Sequence, residues 1–182
     1  MDQDDLWIDK HKIAQQIEFL EQHPSYGIIG TQRDILYNDG IKSIPLPTTD
    51  QQIREIIPKF CPLQHSTVCY NKALAQEIGG YNPKYHCSMD TDFFYKILKE
   101  SQGHNLDIIS TIYRLHGGNT IFHSKNKARL EGIKIRWEYR KEFPLNYPYF
   151  IYQFFSLFLP NAVENSNLVQ SLKNCMKDTT FA

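Results

Sequence analysis

The chain has 182 residues, of which 41% are hydrophobic and 13% aromatic, so it can bury one sizeable core and is neither a disordered tail nor a small disulfide scaffold. Twenty basic residues balance twenty acidic ones, which removes the positive surface expected of a nucleic-acid-binding protein. The four cysteines lack the short paired spacing of metal knuckles and no signal-peptide pattern precedes them, so we expect reduced thiols in a cytoplasmic protein.

Helical and extended patterns alternate along the chain without repeats. Apolar residues at helical spacing, or short runs rich in β-branched and aromatic residues, define each element, and His-Pro and Gly-Gly steps mark boundaries. The predicted elements, in chain order, are a helix over 10–22, a strand over 26–31, a loop over 38–49, a helix capped by Thr49 or Asp50, a strand over 66–70, a helix over 72–78 ended by Gly79-Gly80, a helix whose first turn holds Asp90 and Asp92, a strand over 107–113 and a helix over 124–143.

An acidic cluster stands at the beginning of the sequence, where Asp2, Asp4 and Asp5 precede Leu6-Trp7. Carboxylates in such a cluster suit a hard Mg²⁺ or Mn²⁺ ion. The alternative is that Asp4 or Asp5 only caps the helix that follows, because a carboxylate in that position accepts free amide hydrogens. The cluster alone leaves both interpretations open.

Six segments follow one another in a characteristic order: the acidic cluster with a lysine-containing helix, Gln16–Pro24 with Gly27–Thr31, His65–Tyr70, Ile78–Asn82, Met89–Lys96 and Tyr113–His116. This ordered set resembles family 2 glycosyltransferases of the GT-A fold. The resemblance implies an α/β fold, namely the C-terminal half of a GT-A domain with a Rossmann-like mixed sheet, followed by C-terminal helices.

The resemblance also implies a division of the chain. We expect a partial GT-A domain over 1–123, with the metal motif and the acceptor-side half, and a helical C-terminal extension over 124–182. In the family, a strand-helix-strand portion that binds the nucleotide precedes the acidic cluster, where this sequence has only Met1. We therefore expect little transferase activity from the chain without a complementing N-terminal polypeptide.

The function implied by the resemblance is inverting transfer of a sugar from a nucleoside-diphosphate sugar to a saccharide or lipid-linked acceptor, assisted by Mg²⁺ or Mn²⁺. Asp4, the second acid of the Asp-x-Asp pattern, would contact the metal directly. Asp2 would lie near the ribose or a metal-bound water, and Asp5 would assist as a further ligand. His116 would ligate the metal or donate to phosphate, with a hydrogen-bonded loop residue as the alternative, and Arg114 would pair with phosphate.

By the same resemblance, Asp90 would be the base that removes the proton of the acceptor hydroxyl group. The family usually has Glu-Asp at this helix start, whereas this chain reads Met89-Asp90, so the acidic neighbour is lost. A helix cap is the alternative for Asp90 and our assignment for Asp92. We assign packing or hydrogen bonding to His65, and packing to Tyr81 with stacking on a sugar as its alternative.

Other functions remain open. The chain is alternatively an inactive remnant or an interaction module without the nucleotide-binding half. A metal-dependent phosphoesterase is disfavoured, because the sequence lacks the His/Asp clusters of two-metal hydrolases. The family as a whole suggests polysaccharide biosynthesis.

The aromatic stretch at 147–159 is too short for a simple membrane span, which needs about 20 residues. Together with Arg136, Arg140 and Lys141 it suits a membrane surface. We therefore expect peripheral contact at the inner face of the membrane.

Overall fold

The computed structural model describes residues 4–117 and 123–156. In these two segments five strands form one mixed sheet, accompanied by six helices. The strands are β1 (Leu6–Trp7), β2 (Tyr26–Tyr37), β3 (Gly40–Ser43), β4 (Cys69–Tyr70) and β5 (Gln102–Arg114). The helices are α1 (Lys12–Gln22), α2 (Asp50–Ile56), α3 (Lys72–Glu77), α4 (Met89–Glu100), α5 (Lys125–Glu138) and α6 (Asn146–Ser156). The predicted α/β class with a mixed sheet is confirmed.

The long strands β2 and β5 run parallel at the centre of the sheet. β1 pairs with β5 in the antiparallel sense, and β3 and β4 both pair antiparallel with β2. The predicted strands at 26–31 and 107–113 are present, but both are longer because neighbouring polar residues also join the ladder. The parallel register brings residues 33–36 of β2 beside residues 111–114 of β5.

Two local predictions need correction. The segment 38–49 is not wholly a loop, because Gly40–Ser43 pairs with the end of β2 as a hairpin. The predicted strand at 66–70 is reduced to Cys69–Tyr70, and the residues just before it form a turn. In both cases the partner strand decides the pairing, and the local pattern does not reveal that partner.

The helix ends follow their local sequence closely. Thr49 caps α2 through a reciprocal capping box with Gln52. Of the two predicted caps, Thr49 and Asp50, the structure therefore shows the first. Gly79 and Gly80, with φ of 80° and 61°, end α3 in the left-handed conformation that glycine adopts most easily. Helix α5 ends at Glu138, earlier than predicted.

The hydrophobic core lies between the sheet and helices α2, α4 and α5. Helix α4 packs on both central strands and on α5, while α6 packs on α5. Fully buried members of the core include Ile28 on β2, Ile53 and Ile57 at α2, Phe93, Phe94, Tyr95, Ile97 and Leu98 on α4, and Ile135 on α5. The core therefore holds helix α4 against the sheet.

Helix α1 buries polar residues and exposes apolar ones. Lys12 and Gln16 are 1% and 0% exposed, whereas Ile13 and Ile17 are 38% and 44% exposed. The Gln16 amide group explains this orientation, because its Nε2 donates to the carbonyl oxygens of Ile29 (2.7 Å) and Thr67 (2.8 Å). The helical spacing of the isoleucines thus predicts the helix correctly, while a hydrogen-bonded amide fixes its inward face.

Helix α6 contains most of the aromatic stretch at 147–159, and residues 157–159 lie outside the described segments. Across the described part of the chain, none of the helices combines the length and the apolar character that crossing a membrane requires. Cys61, Cys69 and Cys87 are free thiols, and Cys175 lies outside the described segments.

Candidate functional site

Asp5 is a buried hydrogen-bond acceptor that connects three segments of the chain. It is 3% exposed and directly precedes β1. Ser66 Oγ donates to Asp5 Oδ2, and the backbone N–H of Arg114 donates to Asp5 Oδ1 (3.3 Å). Antiparallel pairing of β1 with β5 explains how residues 109 positions apart in sequence meet. Asp5 therefore fixes the acidic cluster to the end of β5.

Asp4 lies beside His116. Its Oδ2 atom is 2.7 Å from His116 Nε2, and both side chains are partly exposed, by 35% and 48%. The hydrogen bond from His116 lowers the pKa of Asp4, so this carboxyl group is ionised at neutral pH. Of the predicted site residues, the structure brings together Asp4, Asp5, Arg114 and His116, while Asp2 lies outside the described residues.

The side chains at this place can supply part of a metal site. Within residues 4–117 and 123–156, no three His, Cys, Asp or Glu side chains are grouped to hold an ion. Mg²⁺ in nucleotide sites commonly takes one or two carboxylates and completes its coordination with phosphate oxygens and water. Asp4 beside His116 fits such a partial set, whereas both Asp5 oxygens already accept hydrogen bonds. The metal role of these residues stays a prediction.

Neither Asp4 nor Asp5 caps α1. The N-cap residue of this helix is His11, and its backbone N–H donates to Asp9 Oδ1 (2.8 Å). The carboxylate that serves the start of α1 is therefore Asp9. This removes the helix-cap alternative for the acidic cluster.

Trp7 ties the cluster to the same region through its indole ring. Its Nε1 donates to the carbonyl oxygen of Ser66 (2.8 Å), and Lys12 Nζ lies 4.5 Å from the ring centroid. The Lys12 ammonium group also donates to Gln16 Oε1 (2.8 Å). Burial lowers the pKa of Lys12 to about 8, because a desolvated cation is disfavoured.

The turn Gln64–Thr67, here called the central turn, connects the acidic cluster to the rest of the site. The Gln64 carbonyl oxygen closes the turn by accepting from Thr67 N and Thr67 Oγ1, both at 2.8 Å. Three consecutive side chains of the turn then contact three different partners. These contacts are Gln64 Oε1 with Arg33 Nε (2.6 Å), His65 Nε2 with Tyr81 Oη (3.1 Å), and Ser66 Oγ with Asp5 Oδ2.

Asp90 lies in the first turn of α4 and interacts electrostatically with His65. The N-cap residue is Ser88, so Asp90 is not the cap, and its Oδ1 accepts from the backbone N–H of Thr91 (2.7 Å). Burial raises the pKa of Asp90, while the Thr91 N–H and the charge of His65 act in the opposite direction. A partly buried carboxyl group with a raised pKa is a suitable candidate for a general base.

We predicted that Asp92 caps α4, and the structure shows that this prediction is wrong. It is fully buried, accepts a hydrogen bond from Tyr139 Oη (3.1 Å) and lies 3.3 Å from Lys96 Nζ. Its carboxylate therefore connects α4 to the C-cap residue of α5. The prediction was wrong because α5 covers this face of α4, and the sequence of α4 alone does not reveal that contact.

Glu131 on α5 holds the segment that leads into α4. Its carboxylate accepts from the backbone N–H groups of His86 (3.1 Å), Cys87 (2.8 Å) and Ser88 (2.9 Å). Burial raises the pKa of Glu131, but the three backbone donors outweigh it and the net change is downward. Glu131 thus fixes the backbone just before Asp90.

Arg33, Gln64, Ser66 and Glu131 are the site residues that we did not identify from sequence. Ser66 lies within the His65–Tyr70 segment of the resemblance, but no role was assigned to it, and each of the four residues acquires its role through a contact with a distant residue.

Comparison with known proteins finds a similarity to a glycosyltransferase. No family model matches the sequence. Over 151 residues the chain is 30% identical to a protein of Haemophilus influenzae (strain ATCC 51907 / DSM 11121 / KW20 / Rd) named "Uncharacterized glycosyltransferase", and the match covers 77% of this chain and 53% of the relative. The chain thus spans about half the length of this relative. This similarity relates the chain to glycosyltransferases.

Proposed function

We propose that the chain is the acceptor-side half of an inverting, metal-assisted glycosyltransferase of family 2 with the GT-A fold. It would transfer a sugar from a nucleoside-diphosphate sugar to a saccharide or lipid-linked acceptor. The observation that carries this proposal is the central turn, which contacts the acidic cluster through Ser66 and the Tyr81 side of the site through His65. The similarity to a protein named as a glycosyltransferase supports the class of reaction.

On the donor side, Asp4 and His116, together with Asp2, would hold Mg²⁺ or Mn²⁺. When bound, the cation neutralises the negative charge that develops on the departing diphosphate. Arg114 would pair with a phosphate oxygen. Asp5 has a supporting role in this scheme, because it holds the Arg114 backbone and the Ser66 hydroxyl in place.

On the acceptor side, a hydroxyl oxygen of the acceptor attacks the anomeric carbon of the donor sugar, and Asp90 takes the hydroxyl proton. The bond from the anomeric carbon to the diphosphate oxygen breaks, and its electron pair leaves with the diphosphate. Burial raises the pKa of Asp90 and so makes its carboxylate a stronger base than an exposed aspartate.

An interaction module without catalytic activity is the second candidate. The observation that favours it is the exposure of large apolar side chains at the start of the chain, including Trp7 at 46% and Ile8 at 51%. Exposed apolar surface of this kind often marks a binding interface. Both candidates agree with a chain that spans about half of its relative.

A transfer assay separates the two candidates. The 182-residue chain would be tested alone and fused to the unmatched part of the relative, with a panel of nucleotide sugars and acceptor-dependent release of nucleoside diphosphate as the readout. We expect little activity from the chain alone and metal-dependent activity from the fusion. Asp90→Asn should lower the rate of the fusion about 100-fold or more, while the exposed control Asp107→Asn should not. A folded fusion that releases no nucleoside diphosphate would favour the interaction module.

The metal assignment has its own test. Mn²⁺ titration followed by calorimetry should show weaker binding for Asp4→Ala than for the wild-type chain. Asp39→Ala is the matched control, because Asp39 is an exposed carboxylate that pairs with Lys42 at a distant hairpin. Equal Mn²⁺ affinity in the wild type and Asp4→Ala would remove Asp4 from the ligand set.

We also propose peripheral membrane contact through α5 and α6, on the inner face of the membrane. Ile151 and Phe155 of α6 are 50% and 63% exposed, and Arg140 stacks on Trp137 nearby. Exposed aromatic rings beside cations suit the interface of an anionic bilayer. Sedimentation with anionic vesicles should decrease for Phe155→Ser, and unchanged sedimentation would contradict this contact.

A further inference from the structure

Arg33 carries a buried donor with no acceptor beside the candidate site. Its Nε donates to Gln64 Oε1 (2.6 Å), which orients the guanidinium group. Its Nη1 atom is buried and has no hydrogen-bond partner within the described residues. Buried donors in proteins are nearly always paired, so an orphaned donor beside the candidate site indicates a place for an acceptor from another molecule.

The surroundings of Arg33 leave its positive charge incompletely compensated. The groups that act on it electrostatically are Asp5 and the phenol groups of Tyr113 and Tyr37. Asp5 accepts hydrogen bonds from Ser66 Oγ and from the backbone N–H of Arg114. Burial lowers the pKa of Arg33, yet a guanidinium group stays protonated in proteins. An anion would complete both its charge and its hydrogen bonding.

The position of Arg33 is between the two halves of the site. Strand β2 places it opposite Thr111 of β5, close to the point where Asp5 meets Arg114. Its partner Gln64 belongs to the central turn and directly precedes His65, which contacts Tyr81. A group bound at Nη1 would therefore lie near the acidic cluster and near the turn that leads to the acceptor side.

We propose that Arg33 binds an anionic group of the sugar substrate, a phosphate or a carboxylate, through its Nη1 donor. The planar guanidinium fork matches both of these oxyanions. The identity of the substrate rests on the proposed function, whereas the anion site rests on the geometry of Arg33 alone. The alternative is that Arg33 only supports the fold, through its hydrogen bond to Gln64.

The test is calorimetric titration of the 182-residue chain with three probes: inorganic phosphate, pyrophosphate and glucuronate. A chelator is present, so that cation-mediated binding at Asp4 does not contribute. The variants are Arg33→Met, Arg33→Lys and the control Arg140→Met, which removes one positive charge from the Trp137 stack on α5. Circular dichroism confirms that each variant is folded.

We expect wild-type binding of at least one probe at millimolar concentration and about tenfold weaker binding in Arg33→Met. Arg33→Lys keeps the charge but has a single nitrogen in place of the guanidinium fork, so we expect it to bind the probes several-fold more weakly than the wild type. If Arg33→Met does not fold, the affinity of Arg33→Lys tests the proposal instead. Arg140→Met should bind like the wild type. Preference for glucuronate identifies a carboxylate group, and preference for phosphate or pyrophosphate identifies a phosphate group.

Two results would overturn the inference: no binding of any probe to the wild-type chain, or equal affinity in the wild type and a folded Arg33 variant. Its failure is distinct from failure of the proposed function. Anion binding that depends on Arg33 in a fusion without sugar transfer contradicts the transferase proposal only. Sugar transfer without such binding contradicts the Arg33 assignment only.

Discussion

Burial determines the acid–base properties of Asp90. The folded chain favours its protonated form, because desolvation disfavours the carboxylate. A base must be ionised to accept a proton, so the rate of transfer should rise with pH over a range above the ordinary aspartate pKa of 3.8. The same burial makes ionised Asp90 unfavourable for folding.

Asp90→Asn should therefore stabilise the chain at neutral pH. As pH rises between the ordinary and the raised pKa, the unfolded chain ionises first, and the free energy of unfolding falls. Asparagine carries no charge, so we expect a higher thermal midpoint than in the wild type at pH 7. The difference should disappear as pH falls to the ordinary aspartate pKa of 3.8.

Thermal unfolding followed by circular dichroism across this pH range measures the effect. Asp107→Asn is the control, because Asp107 is exposed and its charge costs little on folding. A lower midpoint for Asp90→Asn than for the wild type at pH 7 would contradict the inferred effect of burial.

At the scale of elements, short sequence motifs predicted where helices begin and end. Contacts within and against the sheet determine the strand lengths and the orientation of α1. The α2 cap and the Gly79-Gly80 stop depend on neighbouring residues, so the sequence identified the stop and reduced the cap to Thr49 or Asp50, of which the structure shows Thr49. The lengths of β2 and β5 and the inward face of α1 depend on partners far away in sequence. Asp4 and His116 are 112 positions apart, and only the resemblance to a family connected them before the structure did.

Glu131 is the contact by which α5 supports the start of α4. Replacing it with alanine leaves three backbone N–H groups without their acceptor. We expect Glu131→Ala to lower the free energy of unfolding by about 3 kcal/mol, and Glu131→Gln, which keeps one acceptor oxygen, by about 1–2 kcal/mol. Urea denaturation measures both, with the exposed Glu18→Ala on α1 as the control, for which we expect a change within about 0.5 kcal/mol.

The pH dependence of the same variants gives a second readout. The pKa of Glu131 is lowered on folding, so its stabilising contribution is present above its ordinary value of 4.5 and is lost as pH falls through the folded-state pKa. Glu131→Gln should show less acid destabilisation than the wild type over this range. An equal slope in both proteins would show that the backbone donors do not depend on the charge of Glu131.

At the scale of the whole molecule, one group of exposed apolar side chains lies near the start of the chain. Leu6, Trp7 and Ile8 at β1 are exposed, and so are Ile13 and Ile17 on the next helix. These side chains therefore contribute little to the free energy of unfolding, and they form part of the apolar surface that is accessible to solvent.

The double variant Ile13→Lys with Ile17→Lys tests this description. Because both side chains are exposed, we expect the free energy of unfolding to change by no more than about 0.5 kcal/mol for each substitution. Fluorescence of a dye that binds exposed apolar surface should decrease. Ile41→Lys on β3 is the control, since Ile41 is 55% exposed on the hairpin and away from β1. A loss of several kcal/mol in the double variant would mean that α1 buries these residues.

The central turn has a consequence for how the site responds to its ligands. Gln64, His65 and Ser66 share one short, closed backbone, so a displacement of any one partner moves the other two. Occupancy at Arg33 or at the acidic cluster would then alter the surroundings of Asp90 through His65. Thermodynamic linkage makes this relation reciprocal: the factor by which a bound anion or cation changes the proton affinity of Asp90 equals the factor by which protonation of Asp90 changes the affinity for that ion.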